Sequence, residues 1–399
     1  MPQYDQFIQE AHINTIRTSA PVYMKGYADL TKRNFILFNL MSQWGTMVYN
    51  ASGTAKQWQV LVYEHLVKTF SDTTNKVFHD HDAFESLTVG VRGYETNDVL
   101  RELQWKENQG EAQLINLYES KLKHMAVSLS RRMQEAVYRD GDSAAYKDGY
   151  QGFETALGAL NASNGGSNAG ATDRLVLPKD SYGGHSTELG NFGGSWSTDL
   201  GSADRLNKTQ GADNDWPFGQ GDSEYDALSP TLWNYDSSDW GSDNWSDNCE
   251  TVVRHAIEAL RSKNGTGPVT VPPCFMISSD MYAQLKNYYS SRFRTIQPFS
   301  GGDQGFPIAD SIEIDGAAFK SDYACPAGVG YGVCPDHIEM FHYQTKNPAP
   351  GDTEPMIDVH GPDWVPENGA YVMRANTFGN LRLQPKFMCK LAPTAHYAG

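Results

Sequence analysis

The chain has no paired cysteine motif. Its five cysteines, Cys249, Cys274, Cys325, Cys334 and Cys389, form no CxxC and are odd in number. A disulfide framework is not expected in a chain this long, and the thiols are read as reduced; Cys325 with Cys334 is the one pairing weighed and set aside. Basic clusters are also missing. No basic run exceeds two residues, as at Arg131-Arg132, and 32 Lys and Arg against 48 Asp and Glu leave a net charge of −16. Phosphate backbones are bound by clustered Lys and Arg, so specific nucleic-acid binding is not expected. Long apolar runs are absent too. The longest cluster, Phe35 to Met41, is broken by Asn39 and falls far short of the ~20 residues a membrane helix needs. The opening MPQYDQFIQEAH lacks a basic region followed by an apolar stretch, so no signal peptide is expected, and a soluble protein made in the cytoplasm is. Catalytic signatures are missing as well: there is no GxxxxGK[ST], GxSxG or HExxH, and Gly328-Val329-Gly330-Tyr331-Gly332 misses the GxGxxG spacing.

What is present argues for a folded chain. Tyr, Phe and Trp reach 12% of the residues, whereas disordered chains are poor in them. Residues 1 to about 45 mix polar and apolar side chains without a sustained period and read as an arm. From Trp58 to about Trp105 short alternating runs, Gln59-Val60-Leu61-Val62-Tyr63 and Leu87-Thr88-Val89-Gly90-Val91, predict strands around a polar tip at Ser71 to Asn75. A long hairpin fits, and such a hairpin needs neighbours to hold it. The spacing of Ile115, Tyr118, Leu122, Met125, Leu129, Met133 and Ala136 predicts a helix over about 109–138, stopped by Asp140-Gly141. At 1.5 Å per residue it would span roughly 45 Å, more than a compact domain usually needs.

Residues 150–250 are rich in Gly, Ser, Asn and Asp, yet Trp196, Trp216, Trp233, Trp240 and Trp245 are scattered through them. Large aromatics at that density predict a packed excursion rather than a linker. A second helix is expected over about 243–262, with Cys249, Val252, Val253, Ala256, Ile257 and Leu260 on one side. Cys274 to Ile277 reads as a buried strand, Ser279 to Tyr289 as a helix capped by Ser278 or Ser279, and Tyr371 to Leu391 as closing strands. The class is α+β without a βαβ repeat.

Two further patterns carry possible chemistry. His79-Asp80-His81-Asp82 places two histidines on one strand face, but Ala83 and Phe84 stand where a metallohydrolase HxHxDH motif needs Asp and His, so a polar hairpin flank is preferred to a metal-dependent hydrolase. Asp236 to Asp247 has a glycine where a calcium loop has one, but Trp240 occupies a ligand position; a turn leading into a helix N-terminus at Asp243 and Asn244 is preferred. A secreted or surface calcium- or sugar-binding β-rich module rests on this Trp/Asp/Gly-rich middle alone, and the missing signal peptide counts against it. No catalytic, cofactor-binding or metal residue is assigned, and no cofactor is expected.

Four segments, in this order, resemble the major capsid proteins of tailed bacteriophages, the Hong Kong 97-like fold. They are Phe84 to Asn108 leading into Gln109-Gly110-Glu111-Ala112-Gln113-Leu114-Ile115; Glu135 to Gly141 followed by Gly152-Phe153-Glu154-Thr155-Ala156-Leu157; Ser229-Pro230-Thr231-Leu232-Trp233-Asn234 with Trp245 to Cys249; and Phe378-Gly379-Asn380-Leu381. The likeness covers most of the chain beyond the arm. It implies a structural subunit, not an enzyme, that forms hexamers and pentamers of an icosahedral head around double-stranded DNA, located in the virion. It implies an N-terminal arm over 1–45, an E-loop hairpin with flanking strands over 46–105, a peripheral domain with the spine helix over 106–149, an axial domain over 150–368 and a return to the peripheral domain over 369–399. The arm is too short for a built-in scaffold, so a separate scaffolding protein is implied, with a portal protein and a decoration protein as further partners, no membrane, and DNA enclosed non-specifically. Lys68 and Lys76 lie near the hairpin, but no full cross-linking trio aligns, so no covalent cross-link is predicted. An acidic subunit suits a container whose inner wall repels packed DNA.

Overall fold

The computed structural model describes residues 36–61, 84–107, 117–158, 175–176, 180–187, 228–237, 240–263, 273–292, 312–343, 357–366, 369–393 and 396. Helix α1 (Leu37–Trp44) and strand β1 (Met47–Val48) precede β2 (Ala55–Leu61) and β3 (Phe84–Gly90). Then come β4 (Arg92–Arg101), α2 (Glu102–Glu107), α3 (Leu117–Val137) and α4 (Phe153–Leu157). Short strands β5 (Leu175–Val176), β6 (Ser181–Tyr182), β7 (His185–Ser186) and β8 (Thr231–Asn234) lead to α5 (Trp245–Lys263), β9 (Cys274–Ile277) and α6 (Ser279–Arg292). Strands follow: β10 (Ile312–Ile314), β11 (Ala317–Ser321), β12 (Gly330–Val333), β13 (Ile338–His342), β14 (Asp358–Val365), β15 (Ala370–Leu383) and β16 (Met388–Ala392).

The backbone clusters into two compact units, one built on Tyr94–Arg132 and Gln344–Thr377, the other on Phe35–Gly93, Met133–Tyr343 and Phe378–Gly399. In the first unit, β14 runs antiparallel to the first half of β15, from Asp358 opposite Asn376 to Val365 opposite Ala370, with an irregularity between His360 and Asp363. Gly361-Pro362 falls inside that irregularity, where a residue lacking its N–H is tolerated in a strand. Lys121 ties α3 to β4 through the Asp98 carboxylate at 3.0 Å and the Val99 carbonyl at 2.7 Å.

In the second unit a seven-stranded sheet has the order β10-β11-β9-β12-β16-β8-β5. Strand β9 pairs parallel with β11 and antiparallel with β12. All four of its residues, Cys274 to Ile277, are buried, as a continuous apolar run in a sheet covered on both faces should be. Phe275 stacks on Phe319 of β11 at 4.6 Å between ring centroids. The predicted stripe of α5, from Cys249 to Leu260, packs with Met281 and Leu285 of α6 into the core on this sheet. Gly332 of β12 has a packing duty: a Cβ there would run into the Phe275 ring and the Cys389 sulfur. The glycines that miss the nucleotide-binding spacing therefore belong to a close strand crossing.

Two expectations are corrected and a third is met over the described residues. The apolar patch inside the presumed arm is α1, with Leu37, Phe38, Leu40 and Met41 buried; eight residues are too few for a helical period to stand out in the sequence. The run to Trp105 does not stay extended, because α2 takes over at Glu102, with Lys106 and Glu102 paired one turn apart. The long helix is described from Leu117 to Val137, a span of roughly 32 Å at the usual rise, and the predicted start at 109 lies outside the described residues. Its buried face is the predicted one: Leu122, Met125, Leu129, Met133 and Ala136, joined by Ala126 and Val137.

Candidate assembly surface and its seat

The β2–β3 hairpin is paired from Ala55 opposite Gly90 to Leu61 opposite Phe84. Alternation divides its two faces. Trp58, Leu87 and Val89 are buried on one; Gln57, Gln59 and Thr88 face solvent on the other. At the outermost described rung Leu61 and Phe84 are 64% and 57% exposed, an apolar pair left largely open among the described residues. Exposed apolar groups set together on one rung suit a surface that another molecule covers.

Polar groups fix the base of this hairpin. Asn380, fully buried, donates to the Gly90 carbonyl at 2.8 Å and accepts from the Gln151 and Leu381 amides, each at 2.9 Å. Arg92, just beyond β3, donates to the Gly141 and Gly149 carbonyls at 2.6 and 2.8 Å and pairs with Asp142. The small β6–β7 ribbon braces the buried face. Tyr182 lies 6.4 Å from Trp58 between ring centroids, donates to the Leu381 carbonyl at 2.9 Å and accepts from the Leu383 amide at 3.0 Å.

Beneath the seat lies a buried charged group. Lys390 of β16 is 1% exposed and meets Glu154 of α4, 0% exposed, at 2.7 Å. Lys390 also donates to the Gly158 carbonyl at 2.9 Å, and Tyr331 donates to the other Glu154 oxygen. Burial raises the Glu154 carboxyl and lowers the Lys390 amine, while their mutual attraction opposes both shifts. The rings of Tyr138, Phe153 and Tyr331 pack on one another beside the pair, with centroids 5.5–5.6 Å apart. Asp322 closes the network: it accepts from Tyr138 at 2.9 Å and from the Leu37 amide at 3.2 Å. Directional bonds join α4, β12 and β16 around Glu154, and α1 to Tyr138, the residue after α3, around Asp322; the two groups meet through the Tyr138 and Tyr331 rings. Its chemistry is that of a structural knot, since each buried charge has its partner.

No family model matches the sequence, and no curated protein does. Solved structures do match. The cyanophage A-1(L) capsid asymmetric unit aligns with a TM-score of 0.57 and 12% identity, over 93% of this chain and 96% of that one. The capsid of a native GTA particle aligns with a TM-score of 0.55 and 9% identity, over 94% and 95%. The chain has a phage capsid fold. At such identities the likeness speaks for the fold, and it does so over nearly the whole of each chain.

Within this capsid fold the sequence candidates are dispersed. His79 to Asp82, the tip at Ser71 to Asn75, Lys68 and Lys76 lie outside the described residues, as do Trp196 and Trp216. All five cysteines are buried free thiols, Cys325 donating toward the Val329 carbonyl at 3.3 Å. Of the acidic stretch, the described part is a turn into α5. Ser242 donates to Asp247 at 2.8 Å, Asn248 donates to the Tyr235 carbonyl at 2.8 Å, and Trp240 donates to the Asn234 carbonyl at 2.7 Å. Of the two residues expected to cap α6, Ser278 accepts the Tyr282 amide on its carbonyl at 2.9 Å, while its hydroxyl accepts the Gly328 amide at 3.2 Å. Among the described residues no group of three or more His, Cys, Asp or Glu is placed to hold a metal, and no helix is long and apolar enough to cross a membrane. The Glu154–Lys390 pair escaped sequence reasoning. Its one signal was a lysine set within the apolar run Met388-Cys389-Lys390-Leu391.

Proposed function

We propose that this chain is the major capsid protein of a tailed bacteriophage, a structural subunit that self-assembles as hexamers and pentamers into an icosahedral head enclosing double-stranded DNA. The observation that carries this reading is the agreement of fold with the cyanophage A-1(L) capsid subunit along nearly the full length of both chains. The exposed Leu61–Phe84 rung on a rigidly seated hairpin supports it, because such a rung serves a chain whose remaining partners are its own copies. In this reading the hairpin is the extended loop laid over a neighbour, α3 is the spine, and the seven-stranded sheet with α5 and α6 belongs to the axial region. The subunit performs no catalysis, is made in the host cytoplasm and ends in the virion. A separate scaffolding protein, a portal protein and a decoration protein are its further partners.

The test is assembly. Co-expressed with a scaffolding protein, the wild-type chain should sediment as closed particles tens of nanometres across. Leu61→Asp with Phe84→Asp should leave a folded subunit, judged by circular dichroism, that no longer forms them. A wild-type chain that stays a monodisperse monomer beside the scaffold would overturn the reading.

A further inference from the structure

The hairpin has a groove on the face opposite its exposed rung. Side chains alternate across β2 and β3, so Trp58, Val60 and Leu87 belong to one face and Leu61 and Phe84 to the other. On the first face a groove of about 370 Å³ runs along β2 from Trp58 to Leu61, walled by Leu87, Leu228, Leu383 and Phe387. An apolar cavity of roughly 150 Å³ already holds a benzene ring, so a phenyl group fits here with room to spare. The far wall is fixed in place. The His337 ring stacks on Phe387 with centroids 3.7 Å apart, and the Gln384 amide donates to the His337 carbonyl at 3.2 Å. Lys386 carries the one formal charge of the lining. The rung is matched to such a site. Beside Leu61 and Phe84 the same face carries Gln59 opposite Ser86, both uncharged, so covering it strips water from no ion.

We propose that this groove is the socket for the Leu61–Phe84 rung of a second copy, with the Phe84 ring inserted, an inference that rests on the capsid reading. The two faces decide how copies join. Rung and socket lie on opposite faces of one strand pair, so a copy that turns its rung towards a partner turns its socket away from it. Two copies related by a twofold axis therefore cannot fill both sockets at once. The contact runs head to tail, each copy giving a rung on one side and receiving one on the other. Repeated contacts of that kind close into a ring or run on as a filament. Rings of five and six are the closed form that a capsid subunit needs. The contact also gives the open rung and the groove behind it one common cause.

Cysteine trapping in particles of the full-length chain, co-expressed with a scaffolding protein, tests this. With Phe84→Cys and Leu228→Cys in one chain, mild oxidation should give a ladder of covalent oligomers on a non-reducing gel, reaching the pentamer or hexamer. Either substitution alone should give no ladder, because the five native thiols are buried. Particles without a ladder would overturn the socket and leave the capsid reading standing. So would a product that stops at the dimer, a bond within one chain, or a band that joins the chain to the scaffolding protein. Wild-type chains that form no particle would remove the capsid reading and the socket with it. Should the double cysteine variant form no particles, Val60→Trp decides. Val60 is half-buried in the groove wall, and tryptophan is at home in a strand. Filling the groove should cut particle yield about tenfold or more with the circular dichroism unchanged, and a wild-type yield would overturn the proposal.

Discussion

Two regions of the second unit are held together by different forces. The face of the seven-stranded sheet that meets α5 and α6 is apolar, with Phe275, Ile277 and Phe319 packed with Val252 and Ile257 of α5, all fully buried. The hairpin seat is wired by polar groups: Asn380, Arg92, Tyr182 and the Glu154–Lys390 pair. Apolar packing is non-directional, so a sheet core of this kind tolerates volume-conserving change. Hydrogen bonds and a buried ion pair are directional and expensive to leave unmatched, so they hold a strand pair at one angle. A core needs stability, whereas a hairpin with the proposed role of meeting another copy needs a defined direction.

The comparison can be broken at four strengths. Lys390→Met should have the largest effect, because it leaves Glu154 buried without its cation; a loss of about 3–5 kcal/mol is expected in urea denaturation. Adding Glu154→Leu should recover most of that loss, and a double variant as weak as the single one would contradict a charge-based account. Next is His342, fully buried with neither ring nitrogen hydrogen-bonded. Burial lowers it to about 4. A histidine held below its ordinary value in the folded chain contributes stability above about 6.5 that drains away as pH falls towards 4. The full loss is about 3 kcal/mol, and His342→Leu should flatten that part of the acid profile. Asn380→Ala strands the Gly90 carbonyl and two amides, so about 2 kcal/mol should be lost, and hydrogen exchange should quicken first in β3. Ile277→Val in the sheet should be the mildest, about 1 kcal/mol, with no change in hairpin exchange. Equal effects of these last two on the hairpin would erase the distinction between the regions.

Legibility in the sequence follows the same division. The α5 stripe from Cys249 to Leu260, the buried run Cys274 to Ile277 and the alternation around Trp58 and Leu87 were readable because each is a local pattern imposed by burial, on one face or on both. Polar wiring is not local. Glu154 and Lys390 are 236 residues apart, and nothing in either neighbourhood names the other. Phe378-Gly379-Asn380-Leu381 stood out only through its resemblance to capsid proteins; that Asn380 ties Gly90 to Gln151 needed three dimensions. Helix α1 was missed for brevity. Helix α2 was missed because Glu102 to Glu107 follows a convincing strand without a proline or glycine between them.

The most direct test of the central claim is an electron cryomicroscopy reconstruction of particles formed by the full-length chain co-expressed with a scaffolding protein. The account predicts closed shells with fivefold and sixfold clusters in which Leu61 and Phe84 lie covered against a neighbouring copy. Shells in which that rung faces open solvent would contradict the role given to the hairpin, and the absence of any closed particle would contradict the capsid reading itself.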